Sequence, residues 1–400
     1  MSDVSISRSA SGTGTGGLGQ TWVLALGTFS VGTDAFVLAG FLPDVAASLH
    51  VSTSGAGQAV TVFAATYALA APVVATVTAR LPRRALLVAA LVLLAVANAG
   101  SALAPDLPLL LVTRILAAIG AAAYTPTAGA VSAALVRPEL RARALAVVVG
   151  GLTVATALGV PLGGAIGAVM GWRTALGLVA ALCLVTALAA GALTPSLPGA
   201  APVPLRTRLA ALRQPGVVTV LPLTALGMAA AYTAYAFVVP ALRALGVTGS
   251  GTVWMLSAYG LGAVAGNLAA GVAADRVGPV RTLTVGYTLM AVTMAAFALL
   301  AVTGARTPVV VALLAAAWGA ASWCQTPPQQ HRLIEAATAQ APLLVALNSS
   351  AIYLGISAGT AVGGLTMPIG TGTTFVVATA LTLAALTWLA VSPPSPTPAR

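Results

Sequence analysis

Two charged side chains, Asp34 and Arg114, stand inside stretches otherwise apolar enough to cross a membrane. An ionisable group within a span costs ~2.5–3.5 kcal/mol on insertion scales, so each is expected to hold a partner and to do something with it. Burial disfavours a charged carboxylate and a neighbouring guanidinium favours it, so a modest change of surroundings can move such a group across the working pH. That is the chemistry proton coupling needs. Counted inward from Pro43 and Pro108, Asp34 and Arg114 lie about 13 and 9 Å deep at 1.5 Å rise per residue. The competing reading is a static ion pair that holds the amino-terminal half together.

A second charged pattern, G-x-x-x-D-R-x-G-x-x-R, runs from Gly271 through Asp275, Arg276 and Gly278 to Arg281. An Asp at a helix end, a tight Gly turn and flanking arginines can form a charge-assisted latch between half-bundles, one that breaks when that side opens. The first-half counterpart keeps Arg80, Arg83 and Arg84 but has Ala79 where the Asp would stand. Both loops equally satisfy the ordinary demand for positive charge on the cytoplasmic side. Asp44 and Asp106 fall at span ends and His50 and His331 at loops, where solvation explains them.

The elements that position these residues follow from composition. The chain has 400 residues, 59% apolar and only 6% charged, with a mean hydropathy of +1.00; soluble domains carry about 25% charge, so this is a polytopic membrane protein. All 18 basic residues are Arg, scattered singly between apolar runs, which excludes a nucleic-acid surface. Cys183 and Cys324 belong to no CxxC, and neither a metal-spaced cluster nor a Ser/His/Asp arrangement is present, so no enzyme, metal or cofactor is expected.

Cutting at charges, prolines and glycines yields twelve spans, near 21–42, 57–79, 85–104, 108–135, 144–170, 173–194, 217–240, 252–274, 280–303, 308–328, 341–369 and 372–391. The polar, Pro-rich stretch 195–216 divides them six and six. This predicts a disordered tail at 1–19, a first bundle at 20–194, a linker at 195–216, a second bundle at 217–392 and a tail at 393–400. The fold class is therefore an all-α membrane protein of two pseudo-symmetric six-helix bundles. The fifth span carries Gly159, Pro161, Gly163 and Gly164, and Val362-Gly363-Gly364 echoes Leu162-Gly163-Gly164 in the second half. Such a helix suits close backbone packing and bending. An offset of 196 also aligns Phe63 with Tyr259 and Arg80 with Arg276.

Four stretches resemble the major facilitator superfamily, and more narrowly its drug/proton antiporters of the arabinose-efflux and chloramphenicol-resistance branch. They are Gly32 to Pro43, the two Arg-rich loops, Arg114 to Gly120, and Gly159 to Gly164, the last similar to the family's G-P-x-x-G-G motif with Val160 standing between Gly and Pro. Members of this branch often carry an acidic residue beside the span-1 Phe; here that place is Ala35 and the carboxylate is Asp34. The resemblance implies that spans 1 and 4 are neighbours, so that Asp34 and Arg114 can meet. It also implies a central cavity lined by spans 1, 4, 7 and 10 with help from 2, 5, 8 and 11. Candidates for that lining are Gln58, Tyr67, Tyr124, Tyr232, Tyr235, Trp318, Gln325 and Asn348, of which Tyr232 and Tyr235 share a face by i, i+3 spacing.

The expected function is proton-coupled efflux of small amphipathic compounds across the cytoplasmic membrane, by a monomer whose partners are substrate, protons and the lipid bilayer. A sugar or nutrient transporter of the same fold is the alternative, and a non-transporting membrane sensor the alternative of another class. Orientation follows from arginine: with the amino terminus inside, fourteen fall on the cytoplasmic side and only Arg173, Arg243 and Arg306 outside, which places both termini in the cytoplasm. Reporter fusions after Pro195 and Arg400 are accordingly expected to read cytoplasmic and one after Asp106 external; an external reading at Pro195 would overturn the span count.

Overall fold

With no water in the bilayer core to take up backbone polar groups, an apolar run of this length must satisfy them within itself, and it does so as helix. The computed structural model describes residues 16–392 apart from 200, 202 and 337–340, and the described residues contain no strand. The first half comprises α1 (Gly16–Val37), α2 (Leu42–Ser48), α3 (Thr53–Val77), α4 (Arg83–Leu103), α5 (Leu107–Ala134), α6 (Arg141–Val154), α7 (Val160–Met170) and α8 (Trp172–Leu193). A short α9 (Leu205–Ala211) lies in the linker. The second half comprises α10 (Pro215–Tyr235), α11 (Val238–Ala244), α12 (Ser250–Val277), α13 (Pro279–Thr303), α14 (Pro308–Trp323), α15 (Thr326–Ala336), α16 (Ala341–Thr366) and α17 (Thr371–Val391). Among the described residues twelve stretches are long and apolar enough to span a membrane.

Several boundaries differ from expectation. Gly16 to Gly19 are already helical, so α1 begins inside the stretch assigned to the tail, whose residues 1–15 lie outside the described residues, as do 393–400. Spans 1 and 7 are not continuous: α1 tightens into a 3₁₀ turn at Leu38–Gly40 before α2, and α10 stops before α11. The breaks fall at Phe41 and Phe237, whose backbones leave the helical region (φ −125° and −109°). Both rings are fully buried, Phe41 against Gly167 and Phe237 against Gly363. Each phenylalanine and each glycine is separated from its counterpart by 196 residues. The equivalent of Gly363 is thus Gly167, and the sequence echo with Gly163 is displaced by one turn.

Backbone contact joins the helices of each half. A Cβ at Gly159 would overlap Thr33 Oγ1 on α1, and one at Gly363 would overlap the Thr233 carbonyl on α10. The fifth span is also interrupted: Ala155–Gly159 forms a single π turn, closed by the Val160 N–H donating to the Ala155 carbonyl. Pro161 follows at once, and having no N–H it cannot continue the i→i−4 ladder, which accounts for the looser turn before it. The π turn is held between α1 and α12, where Gly260 meets the backbone of Thr156 and Ala157.

The hydrogen bonds between the halves lie toward the end that carries the α2 loop. Ser54 donates to the Gly364 carbonyl (2.8 Å) and Ser357 to the Thr61 carbonyl (3.1 Å). The linker is tied to the first half by the Arg83 N–H donating to the Leu197 carbonyl (2.9 Å). Packing at Gly159 yields a differential expectation. Gly159→Ala should cost about 1–3 kcal/mol through overpacking, whereas Gly150→Ala, whose Cβ would meet nothing within 4 Å, should gain up to about 1 kcal/mol of helix propensity. Melting of the two purified variants in detergent checks this, and equal behaviour would remove the α1 contact as a constraint.

Candidate functional site

Asp34 occupies the last turn of α1 and Arg114 the second turn of α5, and the bundle brings them together. The Arg114 Nη1 donates to Asp34 Oδ1 at 2.7 Å and its Nη2 to the Asp34 carbonyl at 3.2 Å, with side chains 1% and 0% exposed. Asn98 on α4, which sequence reading missed, is the third member: its Oδ1 accepts from Nη1 (3.4 Å) while its Nδ2 donates to the Leu94 carbonyl (3.0 Å). The Phe63 ring lies under the guanidinium, 4.6 Å from Cζ to the centroid. Charge pairing, amide and aromatic face together lower the cost of burying the cation. Asp34 Oδ2, Arg114 Nε and Thr33 Oγ1 are buried with no hydrogen-bond partner among the described residues. One carboxylate oxygen is therefore fully held and the other is not.

An aromatic wall faces this group from the second half. Phe36, two residues beyond Asp34, packs against Tyr232 and Trp323, both at 5.9 Å between centroids. Tyr232 continues to Tyr235 (5.1 Å), and Tyr235 to Tyr259 (4.5 Å) and Trp318 (5.9 Å). On the other side Tyr67 stacks on Tyr353 at 3.8 Å, joining α3 to α16. Tyr259 Oη, Trp318 Nε1 and Trp323 Nε1 are buried without a partner among the described residues. The i, i+3 spacing made Tyr232 and Tyr235 legible; Phe36, Tyr259 and Tyr353 join only through tertiary packing, which local pattern does not reveal.

The remaining lining candidates divide. Tyr124 packs α5 onto α1, its Oη donating to the Leu24 carbonyl at 3.1 Å. Gln325 accepts from Tyr287 Oη (2.9 Å), and Asn348 accepts from Thr224 (3.0 Å), a polar group within the second half. Gln58 is exposed and joins neither. Gly159 stands beside Thr33 and so borders the carboxylate's own helix, with Pro161 buried two residues on; a Cβ at Gly163 would meet Val37, and one at Gly164 would lie 3.7 Å from Leu256 of α12. Asp275, Arg276 and Arg281 are exposed around the Gly278 turn (φ 91°), Arg80 and Arg84 are exposed, and Arg83 is half-buried. Among the described residues the ion pairs are Asp34–Arg114 and His331–Glu335, so Asp275 holds no cation in this conformation.

The family model described as Major Facilitator Superfamily matches residues 24–242 and again 220–400. The chain belongs to the Major Facilitator Superfamily. The transporter is 33% identical over 360 residues to the chloramphenicol resistance protein of Streptomyces lividans, covering 88% of this chain and 90% of that one. To the inner membrane transport protein YdhP of Escherichia coli (strain K12) it is 31% identical over 372 residues, covering 92% and 94%. Among solved structures, a D-xylose-proton symporter superposes with a TM-score of 0.76 at 18% identity, covering 94% of this chain and 97% of that one. An inward-facing, unoccupied bacterial homolog of the human lysosomal transporter Spinster superposes at 0.72 and 17% identity, covering 96% and 100%. These two show the fold alone, an all-helical membrane protein of two six-helix halves.

The geometry separates a structural from a functional role for the pair. Breaking a buried pair leaves one charge uncompensated and costs about 3–5 kcal/mol, while removing both charges is far milder. Arg114→Met alone is expected to lower the detergent melting temperature strongly, and the double variant Asp34→Asn/Arg114→Met to recover most of it. A double variant as unstable as the single one would show that the charges themselves are not what couples the two helices.

Proposed function

We propose that the transporter exports small amphipathic compounds across the cytoplasmic membrane in exchange for protons, with Asp34 as the proton-linked carboxylate and Arg114 as the charge that tunes it. The observation that carries this reading is the half-satisfied Asp34 carboxylate, fully buried and two residues from a ring that touches the second half's aromatic wall. Protonation would weaken the hold of Arg114 on α1, and α1 is packed on the π turn against which α12 also rests. A proton arriving at Asp34 thus acts where the two halves touch. The wall of Phe36, Tyr232, Tyr235, Tyr259 and Trp318 suits an apolar or aromatic body with few polar groups, anchored by the Trp318 indole donor. A sugar would need several paired donors and acceptors around each hydroxyl, which this wall does not offer. The identity with a chloramphenicol resistance protein supports efflux as the direction.

Asp275 and the arginines of the two Arg-rich loops serve, on this reading, as a cytoplasmic latch. Their unpaired state here accompanies hydrogen bonds between the halves at the opposite end, as alternating access requires. The test is uptake of chloramphenicol and a lipophilic-cation panel into inside-out vesicles under an imposed pH gradient. Wild type is expected to accumulate at least one compound, with collapse by a protonophore; Asp34→Asn should lose accumulation while keeping downhill exchange, and Asp275→Asn should slow both. Protonophore-sensitive accumulation in Asp34→Asn would move the proton to another group and leave Asp34 a structural role.

A further inference from the structure

Arg332 departs most sharply from its sequence reading. It counts there as a cytoplasmic-loop charge, yet in α15 it is 2% exposed. Its Nη1 donates to Gln329 Oε1 one turn back on its own helix (3.3 Å), and its Nε is buried without a partner, as is Gln329 Nε2. No carboxylate among the described residues stands within ion-pair distance of it; Glu335, one turn on, meets His331 instead (3.4 Å) and is itself part-exposed. Arg114 has Asp34, Asn98 and a ring to offset its burial, whereas Arg332 has one amide and, beyond ion-pair distance, the charge of Glu335. A buried guanidinium so poorly supplied calls for an anion.

The surroundings say where that anion comes from. Arg332 borders a crevice of about 430 Å³ whose other walls are Val280 and Thr284 at the start of α13 and Leu386, Leu389, Ala390 and Ser392 at the end of α17. The walls are mostly apolar, and Val280 and Ala390 are exposed on the outside of the bundle, where no second helix covers them. The first turn of α13 follows the uncapped Gly278–Pro279 corner, so its leading N–H groups have no acceptor within the helix and add positive potential at the crevice mouth. Arg281 stands exposed on that same turn. A cation at the floor and an apolar flank open to the side match a molecule with a charged head and a hydrocarbon body.

We propose that the crevice between α13 and α17 binds an anionic phospholipid of the linker-side leaflet, its phosphate on Arg332 and its chains along Val280, Leu386 and Leu389. That leaflet is the cytoplasmic one on the orientation proposed above, and binding itself does not depend on the direction of transport. Gln329 holds the guanidinium in place, and the lipid bridges α13, α15 and α17, the cytoplasmic ends of spans 9, 10 and 12. The site is distinct from the Asp34 group, which lies in the other half.

The experiment is native mass spectrometry of the full-length protein in detergent, titrated with phosphatidylglycerol and with phosphatidylcholine of the same chains. Wild type is expected to retain phosphatidylglycerol about tenfold more tightly, the worth of one charged hydrogen-bonded contact, and Arg332→Gln to reduce it to the phosphatidylcholine level. Because Arg332→Gln changes a buried residue, Ala390→Trp supplies an independent arm: it fills the crevice from its exposed wall, and is expected to lose the preference with melting temperature unchanged in lipid-free detergent. Equal retention of the two lipids by wild type, or a preference that survives Ala390→Trp, would overturn the proposal. So would displacement of the lipid by inorganic phosphate alone at millimolar concentration, which would assign Arg332 to a free anion.

Discussion

An ion pair taken out of water must be matched almost atom for atom, because the cost of stripping two charges of solvent rivals what their attraction returns. The Asp34–Arg114 pair draws on four helices: carboxylate and carbonyl from α1, amide from α4, and guanidinium from α5 lying over a ring from α3. Those four helices cannot slide past one another without exposing a charge to hydrocarbon. The pair thereby fixes the first half as a unit, and its points of give are the two atoms left unbonded among the described residues, Asp34 Oδ2 and Arg114 Nε.

What the pair does by charge, glycine does by absence. The first half meets itself where Gly159 admits Thr33 and Gly167 admits the Phe41 ring; the second repeats the arrangement with Gly363, Thr233 and Phe237. Close approach across glycine, with no side chain on one of the two facing surfaces, gives contact that is tight yet smooth, the kind that tolerates rotation. The π turn beside Pro161 belongs to the same economy. It lets one helix bend toward α1 and α12 at once, at a level adjoining the residue before Asp34.

Much of this was legible in the chain. Twelve apolar runs, the polar linker and two lone intramembrane charges at similar depth sufficed to place Asp34 near Arg114 once spans 1 and 4 were taken as neighbours. Hydropathy averages over a window, however, and cannot see one residue leaving the helix, so the breaks at Phe41 and Phe237 were read through as continuous span. Charge counting gives a side of the membrane and not burial. Arg332 sits among polar residues at a span end, where any arginine looks solvated, and only packing shows it 2% exposed. Gln58, a polar residue of a span expected to line the cavity, is exposed and joins neither group. Position in sequence gives depth along a helix; the side on which it is buried is decided by neighbours far away in the chain.

The two halves share a backbone and divide the chemistry. The buried ion pair, Asp34 with Arg114, lies in the first, while the aromatic wall of Tyr232, Tyr235, Tyr259 and Trp318 belongs to the second. Coupling between a proton site and a ligand site requires that both bias one element with two arrangements. The contact that qualifies is Phe36 against Tyr232 and Trp323, because it is carried on one side by the helix that holds the carboxylate and on the other by the wall that would hold the substrate. A ligand that displaced Phe36 from that wall would pull on the turn of α1 where Asp34 is gripped, and a proton on Asp34 would loosen the same turn. Reciprocity then follows without any direct contact between proton and substrate: whatever a ligand on the wall does to the hold on Asp34, a proton on Asp34 does to the hold on the ligand, and exchange requires that mutual effect to be antagonistic.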